Sequence, residues 1–174
     1  RRYDYHHSSV RAGKTNQYLE TSGIRNGINF TTQHVSRFNN ENDLEIYKIA
    51  VKKWNSNAER LNYNDLPDSL KTHNNRHSFT DRFKVVAAEL PHSQTVVAHI
   101  AKDGHYYIHP DIDQNRSISV REAARLQSFP DDYYFEGEKE GANRTSAFKQ
   151  IGNAVPPLMS KEIAKTIKIV FDGD

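Results

Sequence analysis

Arg116-Ser-Ile-Ser-Val-Arg-Glu-Ala-Ala-Arg-Leu-Gln-Ser-Phe-Pro-Asp131 carries the strongest local structural signal in this chain. Ser119 followed three residues later by Glu122 has the form of a capping box, in which each side chain takes an amide that the helix start leaves without a partner. Ile118 is placed to staple onto Ala123 across the first turn. Pro130 stops the helix within about three turns, because proline lacks an amide and its ring clashes with the preceding turn. The spacing predicts a short helix with Arg121 and Arg125 one turn apart on the same face.

Downstream lies Lys149-Gln-Ile-Gly-Asn-Ala-Val-Pro-Pro-Leu158, which leads into a last helix starting at Pro156-Pro157. There the missing amides do no harm and φ is already helical. Met159, Ile163, Ile167 and Phe171 step by four along one face, Lys161, Lys165 and Lys168 lie largely opposite, and Gly173 ends the helix. An acidic, glycine-containing loop, Asp131 to Glu140, separates the two stretches.

Upstream, Thr95 to Ala101 is rich in β-branched and small residues. Asp103-Gly104 then favours a tight hairpin with His105 to His109 as the partner strand. Leu44, Tyr47, Val51, Trp54, Ala58 and Leu61 recur at helical steps, with Asn42 and Glu45 forming a further capping box. Trp54 lies on that stripe and is expected in the core. Lys71 to His77 is a polar loop. Asn26-Gly27, between Ile24 and Ile28, is a turn signal in a first forty residues otherwise poor in pattern. The fold class expected is α+β, a small antiparallel sheet with about three helices.

Composition limits the chemistry more than it identifies it. The chain has 174 residues and no cysteine, which excludes disulfides, thiolate metal sites and any thiol nucleophile. A net charge of +2 is too small an excess to mark a nucleic-acid binder by itself, although basic residues gather in Arg1 to Arg37 and Lys48 to Lys53. No apolar run approaches the ~18 residues that span a bilayer, and no signal peptide is visible. His73 and His77 are four apart, as are His105 and His109, but neither pair has a third donor at familiar spacing, so no metal site is expected. The chain begins Arg1-Arg2 rather than with methionine, which points to an internal piece or a trimmed chain.

Taken in this order and at this separation, the two quoted stretches resemble the last two sequence blocks of the cytosine-5 DNA methyltransferases. Ser93-Gln-Thr-Val-Val-Ala-His-Ile-Ala-Lys-Asp-Gly-His-Tyr-Tyr-Ile-His-Pro110 looks like that family's recognition region. The match is dense from His92 to Ile167 and thinner before, where Asp43-Leu-Glu-Ile-Tyr47 and Asp81-Arg-Phe83 are echoes only.

The resemblance implies a fragment normally docked on a Rossmann-like catalytic domain. In the family a cysteine adds to the 6-position of a flipped-out cytosine, a glutamate assists at the ring, and S-adenosylmethionine gives its methyl group to the 5-position. No catalytic residue of that set is present here. The Pro-Cys, Glu-Asn-Val and Gln-x-Arg-x-Arg blocks and the glycine-rich cofactor turn are all missing, and truncation is the simplest explanation.

What carries over is the rest. Residues 1–115 would form the target recognition region, 116–148 a helix and acidic loop that organise it, and 149–174 the loop and helix that pack on the catalytic domain. Thr95 and Val96 match a pair near the flipped base and its phosphate, with an ordinary strand pair equally open from the residues themselves. Arg116 is expected at DNA, while Arg121 and Arg125 are expected in structural roles. Gly152, Asn153, Ala154 and Val155 match a loop lining the S-adenosylmethionine site, where glycine permits close approach, an amide can bond, and the following helix N-terminus suits a carboxylate. Without the rest of that pocket the cofactor is not expected to bind tightly.

Double-stranded DNA and the missing catalytic domain are the expected partners, in a bacterial cytoplasm and within restriction-modification. A dimer through exposed apolar surface is the further expectation, and no membrane is involved. The alternatives are a recognition subunit of a split methyltransferase and a non-catalytic DNA-binding protein.

Overall fold

A capped start and a run of apolar residues at helical spacing decide where this chain winds up. In the computed structural model, which describes residues 9–10, 16–25, 27, 30–135, 137 and 144–173, the helices are α1 (Gln17–Thr21), α2 (Glu41–Asn57), α3 (Val120–Leu126), α4 (Arg144–Asn153) and α5 (Pro157–Asp172). Short 3-10 turns occur at Tyr63–Asp65, Asp68–Leu70 and Ala98–Ala101. Strands β1 (Ser9–Val10) and β2 (Phe30–Thr31) pair antiparallel, Ser9 with Thr31 and Val10 with Phe30. Asn26 of the expected Asn26-Gly27 turn and most of the acidic loop's second half lie outside the described residues. No helix among the described residues is long and apolar enough to cross a membrane.

The chain divides into two units, each built from separated stretches. One comprises Ser36–Thr95 and Lys102–Ile118. Its core gathers Ile46, Tyr47, Ala50 and Val51 of α2 against Leu61, Tyr63, Phe83 and Ile108. Trp54 packs partly buried against this core and its indole N–H donates to Glu89. The Tyr63 and Phe83 rings stack at 6.0 Å, and Phe79 meets Tyr63 edge-on at 4.9 Å. The α2 cap is Asn40, whose Oδ1 accepts from the Asp43 amide at 2.8 Å, rather than the expected Asn42. Ala58, expected on the helical stripe, instead closes α2 in the left-handed region at φ 54°.

The hairpin expected around Asp103-Gly104 does not form, and with it goes the antiparallel sheet expected there. A two-residue hairpin turn of the Asp-Gly kind needs positive φ at both positions, and Gly104 is not among the positive-φ residues. Gly104 answers a different demand: a Cβ there would sit 2.4 Å from Ser117 Cβ, so only glycine lets the two backbones close. Residues 105–109 do run extended, but beside other segments. Lys84 N donates to His105 O at 2.8 Å, Ile108 N to Lys84 O and His109 N to Arg116 O, both at 2.9 Å. These give isolated bridges from Ile108 to Val85 and to Ser117.

The other unit comprises Arg1–Val35, Val96–Ala101 and Ser119–Asp174. Its α3 starts on the expected box: Ser119 Oγ accepts from Glu122 N at 3.2 Å and Glu122 Oε2 accepts from Ser119 N at 2.7 Å. The helix closes at Leu126, four residues before Pro130, and Ser128 takes φ 59°. Helix α4 was not expected; it buries Ala147, Phe148 and Ile151. Helix α5 has the expected proline start and left-handed Gly173 end, yet none of its residues is buried.

Within the first unit the Tyr47 hydroxyl lies 2.9 Å from His105 Nδ1. Burial pushes the Tyr47 hydroxyl above its ordinary value, so it stays protonated beside the imidazole. Burial likewise lowers the His105 pKa from its usual 6.5, with Asp103 and Asp43 opposing the shift, and Arg82 and Arg37 adding to it. As pH falls through 6.5 the unfolded chain therefore takes up a proton that the folded chain refuses. Stability from this residue is complete above pH 6.5 and declines below it, by at most about 1.4 kcal/mol per pH unit. Urea unfolding measured from neutral to acid pH is expected to show that slope in the wild type and a shallower one in His105→Gln.

Candidate functional site

The segment after Thr95, the end of α3 and the end of α4 converge within the second unit. The Val96 side chain is buried and the 3-10 turn Ala98–Ala101 follows it directly. The strand expected over Thr95 to Ala101 is absent: Thr95 and Val96 lie in neither a helix nor a strand, and the chain turns from Ala98. At the end of α4, Gly152 fits against the turn with no room to spare. A Cβ added there would lie 2.4 Å from both Val97 C and Ala98 N. Gln127, nearly buried at the end of α3, spans the same junction through one amide group. Its Nε2 donates to Ile151 O at 3.1 Å and to Val96 O at 3.4 Å. The next residue, Ser128, accepts from the Leu158 amide at 3.1 Å and fixes the start of α5.

The expected cofactor residues thus divide by accessibility. Gly152 and Asn153 end α4, and Ala154 and Val155 form the link to α5. The Asn153 side chain is exposed and Val155 is 56% exposed, while the space beside Gly152 is filled by the chain itself. Nor is the α5 start open to a carboxylate in the expected way. Pro156 and Pro157 bring no amide, and the Leu158 amide is given to Ser128.

The three arginines differ as sharply. Arg121 is fully buried: Nε donates to Thr32 O at 3.1 Å, Nη1 to Pro130 O at 3.0 Å, and Nη2 to Thr32 Oγ1 at 2.9 Å and Tyr133 O at 2.7 Å. Arg125 grips the buried Asp131 carboxylate with Nε at 2.8 Å and Nη2 at 3.0 Å, a two-pronged pairing suited to the planar guanidinium. Arg116, in the other unit, is half-buried and donates to Gln114 Oε1 and to Ser117 O. Thr95 is exposed, and its carbonyl accepts from the Tyr107 hydroxyl at 2.9 Å. His109 Nδ1 accepts from the Asp111 amide at 3.2 Å, so the paired histidines serve a turn at His109 and a buried hydroxyl at His105.

The family model for C-5 cytosine-specific DNA methylases matches residues 3–169. The chain belongs to this family. Among relatives of the methylase family, a type II methyltransferase of Bacillus paralicheniformis, M.Bpa9945I, is 54% identical over 143 residues, covering 82% of this chain and 30% of the relative. A putative type II methyltransferase of Oceanobacillus iheyensis, M.OihORF3336P, is 41% identical over 129 residues, covering 74% and 25%. The type II methyltransferase M.AgeI of Thalassovita gelatinovora is 48% identical over 93 residues, covering 53% and 20%. The chain thus spans less than a third of the methylases it matches.

Sequence reasoning missed Gln127 and Ser128 as the residues that tie this junction together. Their signal was available: two polar residues between Leu126 and Phe129, where a helix has ended and the flanking residues are apolar. Side chains in that setting are buried only with partners.

Two substitutions test this geometry. Gly152→Ala must push α4 away from the 3-10 turn and is expected to cost about 1–3 kcal/mol in urea unfolding. Asn153→Ala, one residue on and exposed, should change stability by less than about 0.5 kcal/mol. Arg121→Met leaves several buried oxygens without donors and is expected to cost at least about 3 kcal/mol; a loss below about 1 kcal/mol would show that water reaches those oxygens.

Proposed function

We propose that this chain is the target-recognising and C-terminal portion of a DNA (cytosine-5-)-methyltransferase of a restriction-modification system. The observation that carries the proposal is the junction where the Val96 carbonyl and the Ile151 carbonyl near the end of α4 are tied to one amide, Gln127. Within one unit it holds Val96, expected near the flipped base, close to the helix end that carries Gly152 and Asn153, expected at the cofactor. Thr95 offers an exposed hydroxyl-bearing side chain to a phosphate oxygen while Val96 anchors the backbone behind it. Arg116, half-buried beside Gln114 and Ser117, adds a cation for a phosphate.

S-adenosylmethionine, when bound in the complete enzyme, supplies the methyl group. The exposed Asn153 amide and Val155 side chain fit one polar and one apolar part of such a molecule. Gly152 fits it poorly, since its missing side chain is accounted for by Val97 and Ala98. The part of this chain in cofactor binding is to hold Asn153 and Val155 in place.

The attacking thiol must come from elsewhere, because no cysteine is present. The cysteine-bearing portion is the proposed partner, in the same polypeptide or as a separate subunit. Its docking surface is the apolar face of α5, where Met159, Ile163, Ile167 and Phe171 are 44–83% exposed. In isolation the same face can pair copies of the chain.

The test compares this chain with the complete polypeptide that carries it. The complete protein is expected to place 5-methylcytosine at one fixed sequence, mapped in the DNA of a host expressing it. The chain alone is expected to transfer no label from S-adenosylmethionine to DNA; incorporation above a no-protein control refutes the division of labour proposed here.

A further inference from the structure

Residues 71–78, Lys-Thr-His-Asn-Asn-Arg-His-Ser, include no apolar and no acidic side chain, and all but Lys71 are exposed. A loop of that composition has nothing to bury, yet this one is tied down along its length. The His73 imidazole lies flat on the Phe79 ring, with centroids 3.9 Å apart and planes within 5°. The His73 amide donates to the Tyr63 hydroxyl at 2.9 Å, and its Nδ1 accepts from the Asn75 amide at 3.1 Å. Asn75 Oδ1 in turn accepts from the amides of His77 and Ser78, at 3.2 and 3.1 Å. Tyr63 is part of its unit's core and Phe79 packs against that core, so the loop backbone is held on firm ground.

These bonds engage His73 and Asn75 and leave their neighbours to the solvent. The exposed Asn74 side chain makes no hydrogen bond among the described residues. The Arg76 guanidinium meets Asp68 at 3.8 Å with both side chains more than half exposed, a pairing that water makes weak and easily exchanged. An amide and a guanidinium are the groups that bond base edges two atoms at a time: N6 and N7 of adenine for the first, O6 and N7 of guanine for the second. Because the backbone is ordered beforehand, little freedom remains to be lost on binding. A line of contacts joins the loop to Thr95 within the same unit. The Arg82 guanidinium lies 4.7 Å from the Phe79 centroid and 5.4 Å from that of Tyr106, and Gln94 Nε2 donates to Tyr106 O.

We propose that residues 71–78 read the DNA sequence, with Arg76 bonding a guanine and Asn74 an adenine of the target in the major groove. This rests on the function proposed above and assigns the choice of target to one segment of the recognition region. The phosphate contacts proposed for Thr95 and Arg116 hold a duplex without regard to its sequence. The loop supplies the choice.

The experiment uses the complete methyltransferase and its mapped target. Initial methylation rates at limiting DNA are compared between the target duplex and duplexes with a single base pair changed, taken position by position. Arg76→Ala is expected to lose about tenfold to a hundredfold of the discrimination at one G·C pair, and Asn74→Ala a similar amount at one A·T pair, with preference elsewhere in the target kept. Both side chains are exposed, so neither change should disturb folding, and a ratio of rates on two duplexes is blind to how much protein is folded. A wild-type profile in Arg76→Ala, or rates that fall alike on every duplex, overturns the inference. The proposed function then stands, because the wild type still methylates one sequence. The same results in Asn74→Ala, or a target without an A·T pair, overturn the part assigned to Asn74. A complete protein that methylates nothing sinks the inference and the proposed function together.

Discussion

The Arg121 side chain is fully buried, so its N–H groups need oxygens from the protein, and Thr32, Pro130 and Tyr133 accept four hydrogen bonds from it. A buried cation left short of acceptors costs several kcal/mol. The segments around it are therefore held to fixed distances from α3. Gln33, also fully buried, repeats the device without charge. Its amide donates to Phe135 O and its Oε1 accepts from Phe135 N, both at 2.9 Å, which mimics one rung of a strand ladder with a side chain. Asp131, gripped by Arg125, donates its own amide to Ile24 O at 2.7 Å. Polar groups, more than apolar area, specify how this unit closes.

Part of the architecture was legible in the sequence because it rests on local chemistry. Ser119 and Glu122 satisfy each other's neighbours within one turn, and Pro157 and Gly173 bound α5 through their own backbone preferences. The rest depends on partners far along the chain. Helix α4 presents only Ala147, Phe148 and Ile151 as an apolar face, too short a repeat to stand out, and glycine near its end argues against a helix until Val97 and Ala98 are seen beside it. The Asp103-Gly104 turn failed as a hairpin because Asp103 is engaged with Arg82 and Gly104 with Ser117, neither of which is local.

The candidate site shows the same division. Family resemblance pointed to Thr95, Val96 and Gly152 to Val155, but it could not say that Gln127, outside both segments, bonds the Val96 and Ile151 carbonyls. Nor could it separate Gly152, which serves packing, from Asn153 and Val155, which face outward. The three arginines matched similar family positions and ended in three different settings: a ring of protein oxygens, a carboxylate fork and a half-open surface.

The way the two units interleave along the chain sets an order of assembly. Gln33 and Phe135 are 102 residues apart, and neither amide rung can form until both have left the ribosome. At about 5–20 residues per second, Gln33 waits on the order of 5–20 s for its partner. The unit containing Ser36–Thr95 and Lys102–Ile118 has its whole sequence in hand before then. It can collapse first, leaving Thr32, Gln33 and the Val96–Ala101 turn exposed in nascent chains.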